Sequence, residues 1–147
     1  MINFCKMECI IAIDFDGTIV THDYPRVGKP IPFAKEVINM LVDNGHLCFL
    51  WTMRDSETLE AAKKYCKDND IMLCNYNASP DQFSDSPKQY ATVYIDDAAL
   101  GCPLTFDWDM SNRPYVDWYE VAKWLNKRGF ITDTQFDSLR QFDSLSI

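Results

Sequence analysis

Apolar and polar residues alternate along this chain in two rhythms. Continuous apolar stretches, rich in β-branched and aromatic residues, occupy residues 8–14, "HLCFLWT" (46–52), "IMLC" (71–74) and "ATVYID" (91–96). Short runs of this kind, bounded by turn residues, predict buried strands. "PLTF" (103–106) is the candidate for a fifth. Between them apolar residues recur at helical spacing. Phe33, Ala34, Val37, Ile38, Leu41 and Val42 mark a first helix, with Pro32 as its first residue and Asn44–Gly45 as its stop. Leu59, Ala62, Tyr65 and Cys66 mark a second, capped by Asp55 or Ser56 and led by Glu57 and Glu60. Val121, Ala122, Trp124 and Leu125 mark a third, opened by Pro114 and ended by Gly129.

Strands alternating with helices predict an α/β fold. The expectation is a single Rossmann-like, three-layer domain with a mostly parallel sheet and helices on both faces. Residues 17–51 and 53–87 are each consumed by a helix, a strand and a loop, so no cap domain fits between them. The catalytic unit is expected over residues 1–130. Residues 131–147 form a tail in which "QFDSLR" is followed by its near-copy "QFDSLS". Phe136, Leu139, Phe142 and Leu145 recur there every third residue, as in a short amphipathic helix packed on the domain.

Composition narrows the function. The 147 residues carry a net charge of −8, and no basic stripe interrupts it, which disfavours nucleic acid as a partner. The same field repels a phosphate ester unless a cation reverses it locally. No apolar run reaches the ~18 residues that a membrane span needs. "MINFCKMECII" lacks the pattern of a signal peptide. The six cysteines form no CxxC pair and there are only two histidines, so a structural zinc site is not expected. Buried reduced thiols and a cytoplasmic location follow as expectations.

In parallel sheets, ligands bind at the carboxyl ends of the strands. Asp14 and Asp16, Thr52 and Arg54, and Asp96 and Asp97 all fall at such ends. Four carboxylates at close quarters repel one another, and a hard divalent cation relieves them. Mg²⁺ suits a few carboxylates with waters and a substrate phosphate. Asp14, Asp96 and the backbone carbonyl of Asp16 are candidate ligands. The chemistry this suggests is phosphoryl transfer. Asp14, held at a strand end, suits a nucleophile, and Asp16 a general acid and base if its environment favours a proton. Thr52 and Lys88 are candidates to hold the phosphoryl group, and Arg54 either reaches it or pairs with an acid.

"DFDGTI", "LWT", "SPK" and "YIDD", in that order, resemble the four motifs of the haloacid dehalogenase superfamily of phosphatases and phosphotransferases. The resemblance spans residues 10–97 and is nearest to the small capless hydrolases of that group. It implies Asp14 as nucleophile, Asp16 as general acid/base, Thr52 and Lys88 on the phosphoryl group, and Asp96 on Mg²⁺. Asp97 is implied as a ligand or a partner of one. It also implies Mg²⁺ as cofactor. An aspartate two residues after the nucleophile separates this chain from the dehalogenases and the ion-pump ATPases. The remaining readings are a phosphomonoester hydrolase, a phosphotransferase, or a catalytically silent phosphate-binding or regulatory protein. An open, capless crevice implies a large phosphorylated substrate or a homo-oligomer whose neighbouring subunit covers the site. The loop 18–31 is flap-sized. Its His22 is expected as an exposed loop histidine, the alternative being contact with substrate, and its Tyr24 and Arg26 are candidates without an assigned role. Trp51, Trp118 and Trp124 are expected at or near the core.

Overall fold

The apolar run near the start of the chain becomes the inside of a sheet. In the computed structural model, which describes residues 8–143, Ile10–Ile13 form β1 and all four residues are buried. β1 lies between β2 (Leu47–Leu50) and β4 (Val93–Ile95), parallel to both. β2 pairs outward with β3 (Asn75–Tyr76), giving the order β3-β2-β1-β4. A strand enclosed at both edges and both faces must be apolar throughout. Four helices flank this parallel sheet: α1 (Ala34–Asp43), α2 (Ser56–Asp68), α3 (Trp118–Lys127) and α4 (Asp133–Asp143). The fold is a mixed α/β, Rossmann-like single domain, and no cap domain interrupts it among the described residues. No helix among them is long and apolar enough to cross a membrane.

Successive strand residues point to opposite faces, and the two faces are covered differently. Ile11 and Ile13, with Cys48 and Leu50, meet the buried side chains of all four helices in one core. Ile10, Ala12 and Phe49 form a separate, smaller cluster with Ala91, and Trp51 and Tyr94 pack against it. Helices were expected on both faces, but among the described residues their buried side chains all join the first. The third layer is the irregular segment between β3 and β4. Pro80 and Pro87 withhold backbone donors from it. The Gln82 side chain satisfies its backbone instead, donating to the carbonyls of Ser84, Ser86 and Lys88 and accepting from Tyr90 N–H.

Several boundaries differ from the sequence reading. "IMLC" (71–74) leads into the sheet rather than forming its strand. The Cys74 N–H reaches Cys48 O, and the ladder runs through Asn75 and Tyr76. Pro114 opens no helix. Tyr115–Val116 form β6, antiparallel to β5 (Leu104–Thr105), so "PLTF" belongs to a separate two-stranded sheet. Asp117 then caps α3, accepting from Glu120 N–H at 3.1 Å. Pro32 precedes α1 by two residues, because Phe33 takes a left-handed conformation (φ 67°) before the helix begins. Trp118 is buried, but Trp124, expected near the core, is 55% exposed. α4 sends Phe136 and Leu139 into the main core, and Gln135 and Asn44 exchange hydrogen bonds across to α1. Cys5 and the end of the second QFDSL copy lie outside the described residues.

Candidate active site

β1 delivers Asp14 to the carboxyl end of the sheet and holds it there. One residue past the strand, its N–H still donates to Ile95 O at 3.0 Å. The chain then turns tightly. Phe15, buried, accepts from the N–H groups of Thr18, Ile19 and Val20 through its carbonyl. Gly17 has φ 80°, and a Cβ there would lie 2.1 Å from His22 Nε2 and 2.5 Å from Asp97 Oδ2. Conformation and space both demand glycine. Thr18 stitches the two halves of the site: its hydroxyl donates to Asp14 Oδ2 and accepts from Asp97 N–H, each at 3.3 Å. From behind, Trp118 Nε1 donates to Thr18 O at 2.6 Å and Val116 N–H to Gly17 O at 2.9 Å. The turn that carries the acids is thus fixed by α3 and β6.

Asp14, Asp96 and Asp97 each bring one carboxylate oxygen within 4.8 Å of the others. Burial, and then the charge of Asp96, push Asp14 up to about 8. Burial also raises Asp96, with Asp97 adding to it. Three half-buried carboxylates at this spacing, with the ionisation of Asp14 and Asp96 suppressed, are a donor set suited to a hard dication with oxygen ligands. The residues therefore fit Mg²⁺, with Asp14 and Asp96 as the clearest ligands and Asp97 beside them.

Asp16 stands apart from that trio. Both its oxygens accept from Arg54, Oδ2 from Nε and Oδ1 from Nη2, each at 2.7 Å. The metal role expected of Asp16 is through its backbone carbonyl, which does not involve these oxygens. Arg54 is 2% exposed. Its other contacts are the carbonyls of Pro25, Thr58 and Arg26, and its guanidinium lies over the rings of Phe15 and Tyr24. Of the two readings of Arg54, reaching the phosphoryl group or pairing with an acid, the structure shows the second: its donors are spent on Asp16, the flap and the start of α2.

Thr52 lies at the end of β2 and is half-buried. Its N–H donates to Asn77 Oδ1 at 2.8 Å and its hydroxyl accepts from Arg54 N–H at 3.2 Å. Asn77 also donates to Arg54 O, so it braces this loop from the end of β3. Sequence reasoning missed Asn77; its left-handed φ of 52° is one that asparagine tolerates, a weak signal in a polar loop. Lys88 is exposed, its ammonium lies 5.4 Å from the Tyr94 ring centroid, and among the described residues no hydrogen bond or ion pair joins it to the acids. His22, expected to be exposed, is instead half-buried and donates from Nε2 to Asp97 Oδ2 at 2.8 Å.

The arrangement offers a fixed carboxylate at a strand end, two neighbouring acids that with it could hold a cation, a second carboxylate two residues on, and a hydroxyl at the end of β2. No family model matches the chain, and no curated protein matches it. Among solved structures, a conserved protein of Bacteroides thetaiotaomicron is similar to it, with 38% sequence identity and a TM-score of 0.60. The match covers 69% of this chain and 84% of that one. At that identity over that share, this chain belongs to the family of the conserved Bacteroides thetaiotaomicron protein.

Proposed function

We propose that this chain is a Mg²⁺-dependent phosphomonoester hydrolase of the haloacid dehalogenase type, working through an aspartyl-phosphate on Asp14. One observation carries the reading. Asp14, at the carboxyl end of β1, is half-buried against Asp96 and Asp97 with its acidity suppressed to about 8. Such a carboxyl is costly unless something positive joins it. A Mg²⁺ held by Asp14, Asp96 and Asp97 supplies positive charge that keeps Asp14 ionised and counters the charge of the phosphoryl oxygens.

An Asp14 oxygen attacks phosphorus, and the bond from phosphorus to the leaving oxygen breaks. Asp16 gives that oxygen its proton. Water then attacks the phosphorus of the aspartyl-phosphate, Asp16 takes the water's proton, and the bond to Asp14 breaks, releasing inorganic phosphate. Asp16 must leave the Arg54 clamp for both transfers. Because Arg54 also binds the Pro25 and Arg26 carbonyls, release of Asp16 is tied to movement of the flap. The Thr52 hydroxyl accepts from Arg54 N–H and keeps its own proton as a donor for a phosphoryl oxygen. The free, buried thiols of Cys48 and Cys66, which burial pushes up to about 12, accord with a reducing compartment.

The test is phosphate release from an aryl phosphate with and without Mg²⁺. The expected result is activity that a chelator removes and that Asp14→Asn lowers by about a thousandfold or more. Release only when an alcohol acceptor is added would make the protein a phosphotransferase. Binding of phosphate without turnover across a broad panel would sink the enzyme reading.

A further inference from the structure

A second concavity adjoins the acidic site. It measures about 410 Å³ and opens between the flap and the segment that joins β5 to β6. Small-molecule pockets run from about 300 to 1,000 Å³, so it is sized for a modest ligand. His22 is the wall shared with the site. Its Nε2 engages Asp97, and its other ring nitrogen makes no hydrogen bond among the described residues.

The cavity is built before any ligand arrives. The two limbs of the flap are tied where Thr21 N–H donates to Lys29 O and Lys29 N–H to Thr21 Oγ1, both at 2.9 Å. Gly28 permits this approach, since a Cβ there would lie 2.0 Å from Thr21 O. Lys29 Nζ then reaches across to Asp109 O at 3.0 Å and anchors the flap to the opposite segment. A preformed wall lowers the cost of ordering on binding.

Its chemistry is polar and locally balanced in charge. Both Asp23 oxygens accept from Arg26 and the Lys29 ammonium is held by Asp109 O, so neither charge is left to select a charged group, and Ser111 and Asn112 add neutral donors and acceptors. The Asn112 amide is exposed and makes no hydrogen bond among the described residues. No Phe, Tyr or Trp ring lines the cavity. A nucleobase is commonly held by stacking on aromatic rings, which this wall does not offer. A group rich in hydroxyls, each both donor and acceptor, matches it. We infer that this cavity seats the alcohol part of the substrate, and that this alcohol is an uncharged polyol. The substrate class is then a sugar or sugar-alcohol phosphate. The inference rests on the hydrolase reading of the neighbouring acids.

The experiment compares a hexose phosphate, a pentitol phosphate, adenosine monophosphate and an aryl phosphate with Mg²⁺, on the wild-type protein and on Asn112→Leu. The sugar phosphates are expected to show the highest kcat/KM. Loss of one hydrogen bond at Asn112 should lower the ratio of sugar-phosphate to aryl-phosphate kcat/KM about tenfold. In parallel, a free hexitol is titrated into the labelled protein and the amide signals of His22, Ser111 and Asn112 are followed. Shifts confined to those signals support the cavity assignment even if no substrate is hydrolysed, which would count against the hydrolase reading alone. Aryl-phosphate hydrolysis with no preference for sugars, and a ratio unmoved by Asn112→Leu, would overturn this inference and leave the hydrolase reading standing. Absence of both turnover and hexitol shifts would overturn both.

Discussion

At the scale of single residues, two aspartates with one side chain have been given opposite surroundings. Asp14 sits among acids and Asp16 against a guanidinium. Without a cation, burial among acids favours a proton on Asp14, the proposed nucleophile, and a cation held there would free it to attack. Arg54 is the residue through which it can be tested. Truncating it to Met leaves Asp16 in place, with its carboxylate 18% exposed and without a partner. Breaking a buried ion pair from one side costs about 3–5 kcal/mol, so Arg54→Met should lose that much in chemical denaturation. Arg54→Lys should fall between, because an ammonium cannot grip both oxygens in a planar fork. A loss below about 1 kcal/mol for Arg54→Met would show that the pair is no more than a surface contact. Asp14, Asp16, Thr52, Asp96 and Asp97 were legible because strand ends are written in apolar runs that stop at polar residues. The acid that Arg54 pairs with, and the burial of His22 against Asp97, were not legible, because chain order does not say which way a side chain reaches. Lys88 is followed closely by β4, yet it folds back over Tyr94, and His22 meets Asp97 across 75 positions.

At the scale of elements, the site depends on α3 as much as on the strands that carry the acids. Trp118, the first residue of α3, donates to the carbonyl of Thr18, whose hydroxyl links Asp14 to Asp97. Trp118→Phe keeps most of the apolar volume and removes that donor, leaving a buried carbonyl unsatisfied at a cost of about 1–3 kcal/mol. The expected outcome is a stability loss of that size in urea, together with weaker Mg²⁺ binding by calorimetry. Trp124→Phe is the control. Its ring is mostly in solvent beside Lys127, and an exposed substitution should stay within about 0.5 kcal/mol. Equal losses at both positions would sever the link between α3 and the metal site. The role of Trp118 was hidden by its neighbour Pro114, which reads as a helix opener. Residues 115–116 pair with β5 instead, and Asp117 supplies the cap. Periodicity found α1, α2 and α3 because each buries one stripe. It misplaced β3 because Ile71 and Leu73 are apolar for a different reason: both join the helix-side core before the ladder begins. It did not warn that, among the described residues, no helix covers one face of the sheet, since Ile10, Ala12 and Phe49 look the same under coil as under a helix.

At the scale of the whole molecule, the acidic trio should make the fold sensitive to pH in a direction opposite to that of most paired carboxylates. Asp14 is raised from the ordinary 3.8 to about 8, and Asp96 is raised as well. Between those values the folded state holds more protons than the unfolded chain. Stability therefore falls as pH rises across that window, and the contribution is fully present only below the ordinary value. Mg²⁺ competes with those protons, so it binds poorly where Asp14 is protonated and well where it is not. Binding to the folded state alone then adds stability by mass action. The metal-free protein should melt at a lower temperature near pH 8 than near pH 5, and saturating Mg²⁺ should raise Tm more at the higher pH. Asp14→Asn removes the largest source of this behaviour. Its metal-free Tm should change less across the same range, and its response to Mg²⁺ should shrink. Differential scanning calorimetry of both proteins, with chelator and with Mg²⁺, reads all four conditions. A metal-free wild-type protein that gains stability from pH 5 to pH 8, or a Mg²⁺ shift of equal size in both proteins, would mean that Asp14 is not the acid that its half-buried neighbours perturb.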